Sequence, residues 1–514
     1  MMKIYIDDRE VHVEKGMTVF KAAETAGIEI PHLCYHPAFS PEGTCRMCLV
    51  EIEGLPKLEL ACSTQVKDGM KVHTKSEKVV EARKGVLEFL LAEHPMDCPI
   101  CDQAGDCKLQ DYYEEYGLFD NNFSEAKERR EKKIKLGKHL IHDNERCVLC
   151  RRCVRFLREV VGTGEMGVFE RGAATEVNIL EGIPVDNNYS GNLAQLCPVG
   201  AITDMDFRFK TRIWFLEKGE AICPLCSRGC NIYIEHHRGF SRFDLPKRVY
   251  RISARENAEI NSYWICDVGR YGYHSLDENR AEKIVTNNNK GIKNYETALT
   301  FFMEKIKRLV YKKKTSRITL LLNTFLTNEE LFLLKKIFQD DLGIKNIFFV
   351  DPPAGESDDI LLTSDRTPNK KGAKELGFEI KPFELGNLQD DTEVLIIFGI
   401  YLAEILSPSD IQACFDRIKD TFLFTPHRCE IESRVGIMFP TAMTPEKGGS
   451  LTNVDGKVQK FCPVLEAPGD GKAEWKILTE LGTKLDVNFK YYKKFLSPEE
   501  IFRQMQKEIP FFEK

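Results

Sequence analysis

The cysteines constrain this chain more than any other feature of its sequence. It contains 18 cysteines, and 15 of them fall between Cys34 and Cys266. Disulfide frameworks are typical of small secreted domains, whereas this chain has 514 residues and opens on an alternating strand pattern where a secretory or mitochondrial signal would stand. Several pairs of cysteines have only two residues between them (C-x2-C), a spacing that favours metal or redox chemistry. The sequence therefore predicts metal sites.

The first group of cysteines predicts a [2Fe–2S] site. Plant-type [2Fe–2S] proteins combine a close cysteine pair with a distant partner, and this chain keeps that arrangement with a longer first gap. Two short strands, Lys3–Ile6 and Glu10–Val13, and a helix capped by Thr18 precede it, as at the start of a β-grasp ferredoxin. A zinc site is the alternative, although structural zinc sites favour two close pairs. The predicted ligands are Cys34, Cys45, Cys48 and Cys62.

The second group has only three cysteines, and a histidine one helical turn before them supplies a fourth donor. A lone histidine is more often a polar side chain with an ordinary partner, but the count of four ligands closes only with this one. A neutral imidazole in place of a thiolate removes negative charge, and histidine ligation raises the potential of Rieske centres. The predicted ligands of this [4Fe–4S] cluster are His94, Cys98, Cys101 and Cys107.

The third and fourth groups also predict [4Fe–4S] clusters. The third has the bacterial ferredoxin spacing C-x2-C-x2-C, but Leu157 stands at the usual fourth position, so Cys197-Pro198 closes the set. The third set is Cys147, Cys150, Cys153 and Cys197, and the fourth is Cys223, Cys226, Cys230 and Cys266. A basic run is usually a solvated face, yet arginines interleaved with these thiolates are predicted to offset cluster charge. They are Arg146, Arg151, Arg152, Arg155 and Arg158.

Other patterns exclude several functions. Residues 162–167 match the dinucleotide-binding pattern G-x-G-x-x-G, but Val168–Gly172 does not open a helix, so nucleotide binding is not predicted there. The formal net charge of -6 argues against a nucleic-acid binder. The longest apolar run, Val394–Ala403, is far shorter than the roughly 20 residues that span a bilayer. We therefore expect membrane association only through partner subunits.

Beyond a predicted linker at Asn287–Gly291 the pattern becomes α/β. The sequence predicts an amphipathic helix around Leu299–Val310 and a buried parallel strand at Ile318–Leu322. Other predicted features are a helix opened by the capping box Thr327/Glu330 and ending near Gly343, strands at Asn346–Val350 and Val394–Phe398, a helix starting at Ser407-Pro408, and a hairpin at Asp455-Gly456. Cys414, Cys429 and Cys462 are predicted to be buried structural thiols.

Five short motifs resemble the large iron–sulfur (G) subunit of bacterial NADH:quinone oxidoreductase, respiratory complex I. They are Pro31–Pro37, Cys45–Val50, His94–Cys101, Arg146–Cys150 and Leu196–Ala201. The resemblance implies one [2Fe–2S] and three [4Fe–4S] clusters that pass electrons from NADH towards quinone. The implied route uses the [2Fe–2S] site, the Cys147 cluster and the His94 cluster, with the Cys223 cluster off that line.

The resemblance also implies partners and a location. The partners are a flavin- and NADH-binding iron–sulfur subunit, a [2Fe–2S] companion subunit and the hydrophilic subunits of the quinone module. The location is the cytoplasmic side of the bacterial inner membrane, as a peripheral protein. Within such an oxidoreductase this chain would hold no catalytic site of its own.

From about Ile222 onward the chain is similar to molybdopterin oxidoreductases such as formate dehydrogenase, through Cys223–Cys266, Leu326–Glu330 and Gly448–Gln459. Two departures predict a degenerate domain without molybdopterin: Val268 replaces the lysine common in active members, and the sequence stops at Lys514 before a final cofactor domain. The alternatives are the electron-input subunit of a soluble NAD-linked hydrogenase or formate dehydrogenase, a catalytic molybdoenzyme, and a zinc-stapled scaffold.

The predicted fold is multidomain, α+β and then α/β. The expected domains are a β-grasp [2Fe–2S] ferredoxin domain (1–77), a small helical His/Cys3 cluster domain (78–117), a ferredoxin-like [4Fe–4S] domain (118–215), a molybdopterin-oxidoreductase-type [4Fe–4S] domain (216–275) and a degenerate molybdopterin-oxidoreductase-like α/β domain (276–514).

Overall fold

The fold was analysed in a computed structural model that describes residues 2–117, 122–237, 248–287, 292, 294–399, 402–485 and 489–513. The chain divides into two compact units, Met1–Leu216 and Glu217–Lys514. Among the residues described, no helix combines the length and the apolar character needed to cross a bilayer.

The first unit opens with a five-stranded β-grasp sheet. Its strands are β1 (Met2–Ile6), β2 (Arg9–Val13), β3 (Leu49–Ile52), β4 (Glu59–Leu60) and β5 (Lys71–His73), in the order β2-β1-β5-β3-β4. Strand β1 is antiparallel to β2 and parallel to β5. The alternating apolar residues of β1 and β2 face α1 (Val19–Thr25), which begins at the predicted N-cap, Thr18. This confirms the predicted β-grasp opening.

The rest of the first unit is built from short elements around cysteine loops. The helices are α2 (Glu77–Glu93), α3 (Lys108–Tyr116), α4 (Arg152–Arg155) and α5 (Asn192–Leu196), and the strands are β6 (Ile134–Lys135), β7 (Leu140–His142), β8 (Met166–Phe169), β9 (Glu176–Ile179) and β10 (Ile202–Asp204). Helix α4 continues as a π-helical turn, Phe156–Val161, which ends at Gly162 with φ 81°. Strand β8 follows, so the glycine-rich stretch leads into a hairpin and not into a helix, as predicted.

The second unit begins with a three-stranded sheet that carries the fourth cysteine group. The strands are β11 (Leu216–Ile222), β12 (Asn231–His237) and β13 (Val249–Ala254), in that order, and the short helix α6 (Asp267–Tyr271) follows with Cys266 as its N-cap.

A doubly wound α/β sheet forms the core of the second unit. Its strands are β14 (Val285–Thr286), β15 (Ile318–Leu322), β16 (Asn346–Phe349), β17 (Val394–Phe398), β18 (Asp420–Thr425) and β19 (Ile437–Pro440), in the order β14-β19-β18-β17-β15-β16. All neighbours are parallel except β14 and β19. In β15, Leu320 and Leu322 pack into one apolar cluster and Leu321 into another, so both faces of the sheet are covered.

Eight helices and one hairpin complete the described part of this unit. They are α7 (Tyr295–Tyr311), α8 (Asn328–Leu334), α9 (Lys370–Glu375), α10 (Leu402–Ile405), α11 (Pro408–Arg417), α12 (Glu474–Leu485), α13 (Phe489–Lys493) and α14 (Pro498–Glu508), with β20 (Gly449–Thr452) paired to β21 (Val458–Phe461). Helix α8 continues as a π-helical turn, Lys335–Asp341.

Most sequence predictions for this half are confirmed. The amphipathic helix, the buried parallel strands, the capping box of Thr327 and Glu330, and the hairpin all form as expected. The predicted linker lies almost wholly outside the described residues. The prediction for the scattered cysteines was wrong in one case: Cys414 is buried and Cys429 partly so, but Cys462 is exposed at the end of β21.

Candidate iron–sulfur sites

The first group brings four buried thiols together on the loops beside the β-grasp sheet. The thiol of Cys34 contacts that of Cys45, and the thiol of Cys48 contacts that of Cys62. The contact with Cys45 lowers the pKa of Cys34 to about 5, and the contact with Cys48 lowers the pKa of Cys62. The Leu33 N–H also points at Cys45 Sγ, 3.4 Å away. Two thiol pairs without a disulfide fit a [2Fe–2S] cluster, which takes two ligands on each iron.

In the second group, the three cysteines lie near one another and His94 presents an unpaired ring nitrogen. Electrostatic interactions join the thiols of Cys98, Cys101 and Cys107. His94 is the C-cap of α2, and among the described residues its shielded Nδ1 has no hydrogen-bond partner. Burial and then Arg146 lower the pKa of His94 to about 4, which keeps the ring neutral. A neutral imidazole with a buried free nitrogen fits a metal ligand.

Arg146 lies beside the second group although it precedes the third in sequence. Its side chain is buried, and its Nη2 pairs with Asp97 Oδ2 at 2.8 Å and its Nε with Asp143 Oδ2 at 3.4 Å. It interacts electrostatically with both His94 and Cys101. The lack of a side chain at Gly200 leaves room for the thiol of Cys101, since a Cβ built on Gly200 would lie 2.1 Å from Cys101 Sγ.

The third group forms a cluster of four thiols around α4. Each thiol interacts electrostatically with others of the set, and burial raises the pKa of all four, that of Cys150 to about 11. Backbone N–H groups of Ile202, Val199 and Ala201 point at Cys197 and oppose this rise. Such donors stabilise a thiolate once a metal has displaced the proton. The loop reaches this shape through positive φ at Leu149 (51°) and Arg151 (59°).

The fourth group lines one small cavity in the second unit. All four of its cysteines border that cavity, together with Val268 and Gly269. The Gly269 N–H donates to Cys266 Sγ at 3.3 Å, and the backbones of Cys223 and Cys230 are joined by a hydrogen bond of 2.8 Å. Burial raises the pKa of Cys266 to about 11 and raises that of Cys223 and Cys230. Four thiols that surround one small cavity fit a metal cluster that takes one thiolate ligand at each of its four iron atoms.

The fifteen cysteines thus lie near others of their predicted sets, and Arg146 interacts with both His94 and Cys101 of the second set. No three His, Cys, Asp or Glu side chains in the described ranges converge on a point where one ion would sit. The sequence did not predict that Gly200 lies against Cys101 or that the buried arginines contact distant cysteine loops. Arg155 donates to the carbonyls of Cys34 and Cys150 and so touches two groups. Cys150 is only 5 residues from Arg155, but Cys34 is 121 residues away, and no local sequence signal predicts that second contact.

Four family models match the chain in the order that the sequence predicts. The 2Fe-2S iron-sulfur cluster binding domain matches residues 1–77, and the NADH-ubiquinone oxidoreductase-G iron-sulfur binding region matches 83–121. The ferredoxin-like domain of NADH-quinone oxidoreductase subunit 3 matches 137–203, and molybdopterin oxidoreductase matches 369–484. The chain therefore contains [2Fe–2S] and [4Fe–4S] binding domains and a molybdopterin-type domain, which confirms the predicted fold class.

Curated relatives are also named as subunits of NADH oxidoreductases. The G subunit of NADH-quinone oxidoreductase from Rickettsia bellii is 39% identical over 348 residues, which are 67% of this chain and 49% of the relative. This chain is related to the G subunits of NADH-quinone oxidoreductase. The corresponding G subunit from Streptomyces coelicolor is 41% identical over 275 residues, 53% of this chain and 32% of the relative. The 75 kDa subunit of NADH-ubiquinone oxidoreductase from Reclinomonas americana is 37% identical over 350 residues, 68% of this chain and 49% of the relative.

The chain spans about half or less of the length of these G-subunit relatives. Among solved structures, a chain of an NAD+-reducing [NiFe]-hydrogenase in the H2-reduced state is 30% identical, with a TM-score of 0.38 over 41% of this chain and 91% of that chain. A global similarity at this level adds nothing to the fold assignment.

Proposed function

We propose that this chain is an electron-transfer subunit of an NADH:quinone oxidoreductase. Four sets of free, mostly buried thiols in one chain are the observation that carries the proposal, and the G-subunit relatives support it. When bound, iron–sulfur clusters supply one-electron redox chemistry over a wide range of potentials. The chain would work only as part of the oxidoreductase, with no catalytic site of its own.

The proposed cofactors are one [2Fe–2S] cluster and three [4Fe–4S] clusters, without molybdopterin. The [2Fe–2S] ligands are Cys34, Cys45, Cys48 and Cys62, and the [4Fe–4S] ligands are His94, Cys98, Cys101 and Cys107, then Cys147, Cys150, Cys153 and Cys197, then Cys223, Cys226, Cys230 and Cys266. We also propose the five-domain division with boundaries after residues 77, 117, 215 and 275.

The residues around the four sites would hold the clusters and influence their reduction potentials. All four cysteines of the first set and three of the fourth are buried, whereas Cys147, Cys153 and Cys197 of the third set and Cys226 of the fourth are partly exposed. Backbone N–H groups at Cys197 and Cys266 and the buried arginines near the first three sets favour negative charge there. Hydrogen bonds and positive charge both make reduction of a cluster easier.

We further propose the partners and the location that such a role implies. Electrons would arrive from a flavin- and NADH-binding iron–sulfur subunit accompanied by a [2Fe–2S] companion subunit. They would leave towards the hydrophilic subunits of a quinone module, on the cytoplasmic side of a bacterial inner membrane. Contact with the membrane would be indirect.

Metal analysis of anaerobically purified chain tests the proposal. We expect about 14 iron atoms and a matching quantity of acid-labile sulfide per chain, from one [2Fe–2S] and three [4Fe–4S] clusters. Reduced samples should show electron paramagnetic resonance (EPR) signals of both cluster types. A reproducible content of four zinc atoms with little iron would contradict the proposal and favour a zinc-stapled scaffold.

A catalytic molybdoenzyme is the second candidate, because the molybdopterin oxidoreductase model matches residues 369–484. Against it stands Val268, whose side chain is exposed next to the fourth cysteine set where active members carry a lysine. Stoichiometric pterin released on denaturation, together with molybdenum or tungsten, would decide for this candidate. We expect neither, and no formate turnover by the isolated chain.

A further inference from the structure

Arg152 connects the loops of two predicted cluster sites. It is the first residue of α4, two residues after Cys150, and its side chain is buried. Its Nη1 donates to the carbonyl of Leu196 at 3.3 Å, and its Nη2 donates to the carbonyl of Tyr35. Leu196 directly precedes Cys197 of the third set, and Tyr35 directly follows Cys34 of the first. One guanidinium therefore holds both loops, although Tyr35 is 117 residues away in sequence.

The charge of Arg152 also reaches both sets. It interacts electrostatically with the thiols of Cys150 and Cys197 in the third set and with those of Cys34 and Cys45 in the first. Burial lowers the pKa of Arg152. The guanidinium nevertheless stays protonated in the physiological range, because its ordinary pKa lies above 12.

No carboxylate of the described residues balances this buried charge. Within the described ranges, no Asp or Glu oxygen lies within 4 Å of the Arg152 nitrogens, whereas Arg155 has Glu42 at 3.5 Å and Arg146 has Asp97 at 2.8 Å. Other titratable groups that interact with Arg152 are Lys108, His32, His36 and Tyr112, none of which is a carboxylate.

A buried cation without a counterion is strongly unfavourable, and proteins retain one only where negative charge compensates it. Since no carboxylate of the described residues supplies that charge, it has to come from the cysteine sulfurs. A cluster held by four thiolates is anionic, and it gains a further negative charge on reduction. We propose that Arg152 is the shared counterion of two clusters, the one held by Cys34, Cys45, Cys48 and Cys62 and the one held by Cys147, Cys150, Cys153 and Cys197, and that it raises the reduction potential of both.

This inference rests on the proposed function, because it requires clusters at both sites. It goes further in assigning one residue to two sites at once. Since the charge is fixed and shielded from water, it acts on both clusters with little screening. Arg152 is a positioning and charge-balancing residue: it binds no iron.

Two substitutions and one control test the proposal in the full chain, purified anaerobically. Arg152→Gln removes the charge, and Arg152→Lys keeps it while losing the two-armed hydrogen bonding. Arg151→Gln is the matched control, because the neighbouring Arg151 is more than one third exposed and pairs with Glu42 at 3.5 Å. The measurement is the midpoint potential of each cluster in an EPR-monitored redox titration, with iron content determined on the same samples.

We expect Arg152→Gln to lower the potentials of the [2Fe–2S] cluster and of the Cys147 cluster, while those of the other two clusters stay unchanged. Arg152→Lys should restore most of both shifts, and Arg151→Gln should change both potentials much less than Arg152→Gln, because solvent and Glu42 screen the charge of Arg151. Loss of both clusters from Arg152→Gln, with retention in Arg152→Lys at near wild-type potentials, would also support the shared counterion.

Three results would overturn the inference. They are unchanged potentials in a fully loaded Arg152→Gln protein, a shift of only one of the two clusters, and loss of the clusters or the same shifts in Arg152→Lys, which would assign Arg152 to hydrogen bonding alone. Failure of the proposed function itself looks different, because the wild-type chain would then lack the two cluster signals before any substitution is made.

Discussion

His94 differs from the fifteen cysteines in that its role depends on one atom. The residue ends α2, where the chain turns into extended conformation at ψ 128°, and its Nδ1 is shielded from solvent without a partner in the described part of the chain. Because burial and Arg146 lower its pKa to about 4, the ring is neutral at neutral pH and can donate a lone pair. A buried unsatisfied polar atom in a folded protein requires such an explanation.

Substitution of His94 tests whether this residue binds iron or only lies near the cluster. His94→Cys should keep a [4Fe–4S] cluster with a lower reduction potential, because a thiolate adds negative charge. His94→Ala should lose or destabilise that cluster, and the iron content should fall by about 4 atoms while the other three EPR signals persist. An unchanged iron content and signal in His94→Ala would show that His94 is not a ligand.

Gly200 makes a second prediction at the scale of one residue. An added Cβ would lie 2.1 Å from Cys101 Sγ, and a cluster-bound thiol cannot rotate away without breaking its bond to iron. Gly200→Ala should therefore remove the His94 cluster and lower the iron content by about 4 atoms. Gly85→Ala in α2 is the control, since no described atom outside the glycine's own stretch of helix lies within 4 Å of that Cβ. It should keep all the iron and stabilise the helix by up to about 1 kcal/mol.

At the scale of elements, helix α8 shows how local signals and burial combine. Thr327 and Glu330 form the capping box that the sequence predicts, with the Thr327 N–H donating to Glu330 Oε2 at 2.9 Å. Glu329 carries no such signal, yet it is buried and joins α8 to β20: its carboxylate accepts hydrogen bonds from Ser450 N and Ser450 Oγ, each 2.8 Å long. Burial raises the pKa of Glu329 to about 7.

This raised pKa predicts how stability changes with pH. The folded state binds one more proton than the unfolded state between the ordinary pKa of 4.5 and about 7. The contribution of Glu329 to stability is therefore complete below pH 4.5 and is lost as the pH rises through 7, by about 3 kcal/mol in all. Glu329→Gln, a neutral mimic of the protonated acid, should reduce the loss of stability between pH 5 and pH 8 by about that quantity.

Urea unfolding followed by circular dichroism at pH 5 and pH 8 measures this difference. Glu474, whose pKa burial also raises to about 7, should leave part of the pH dependence in both proteins. An identical loss of stability in wild type and Glu329→Gln would show that Glu329 ionises as readily in the folded as in the unfolded chain.

The sequence predicts elements whose causes are local. The Thr18 cap, the strand Val394–Phe398 and the hairpin at Asp455-Gly456 follow from capping, from an unbroken apolar run and from turn chemistry, and all three form as predicted. The exposure of Cys462 was missed, because its position at the end of β21 depends on tertiary packing.

The ligand sets were predictable because metal ligands recur at short spacings. The contacts that hold two sets together were not. Arg155 reaches the carbonyl of Cys34 from 121 residues away, and Arg152 reaches Tyr35 from 117. Nothing in the spacing of the arginines specifies those partners, so the sequence assigned them to the third set alone. Long-range backbone contacts of this kind depend on the complete fold of the first unit.

At the scale of the whole molecule, each ligand set is completed inside one compact unit. The first three sets lie within Met1–Leu216, and the fourth lies within Glu217–Lys514. The first unit has its own apolar clusters around α1 and α3, and the second has separate clusters on both faces of its parallel sheet. Units with their own cores can in general fold independently.

This division predicts how iron is distributed between two separately expressed pieces. Because no ligand has to be supplied by the other unit, residues 1–216 should fold and bind about 10 iron atoms, and residues 217–514 should bind about 4. Cys266→Ser should remove the iron from the second piece, whereas Cys462→Ser should not, since Cys462 lies outside every predicted set. Iron and sulfide analysis with EPR of both pieces measures the distribution. A first piece that folds but binds only about 6 iron atoms would mean that one of its clusters needs a ligand from elsewhere, and the first candidate would be the His94 set, the only one completed by a residue other than cysteine.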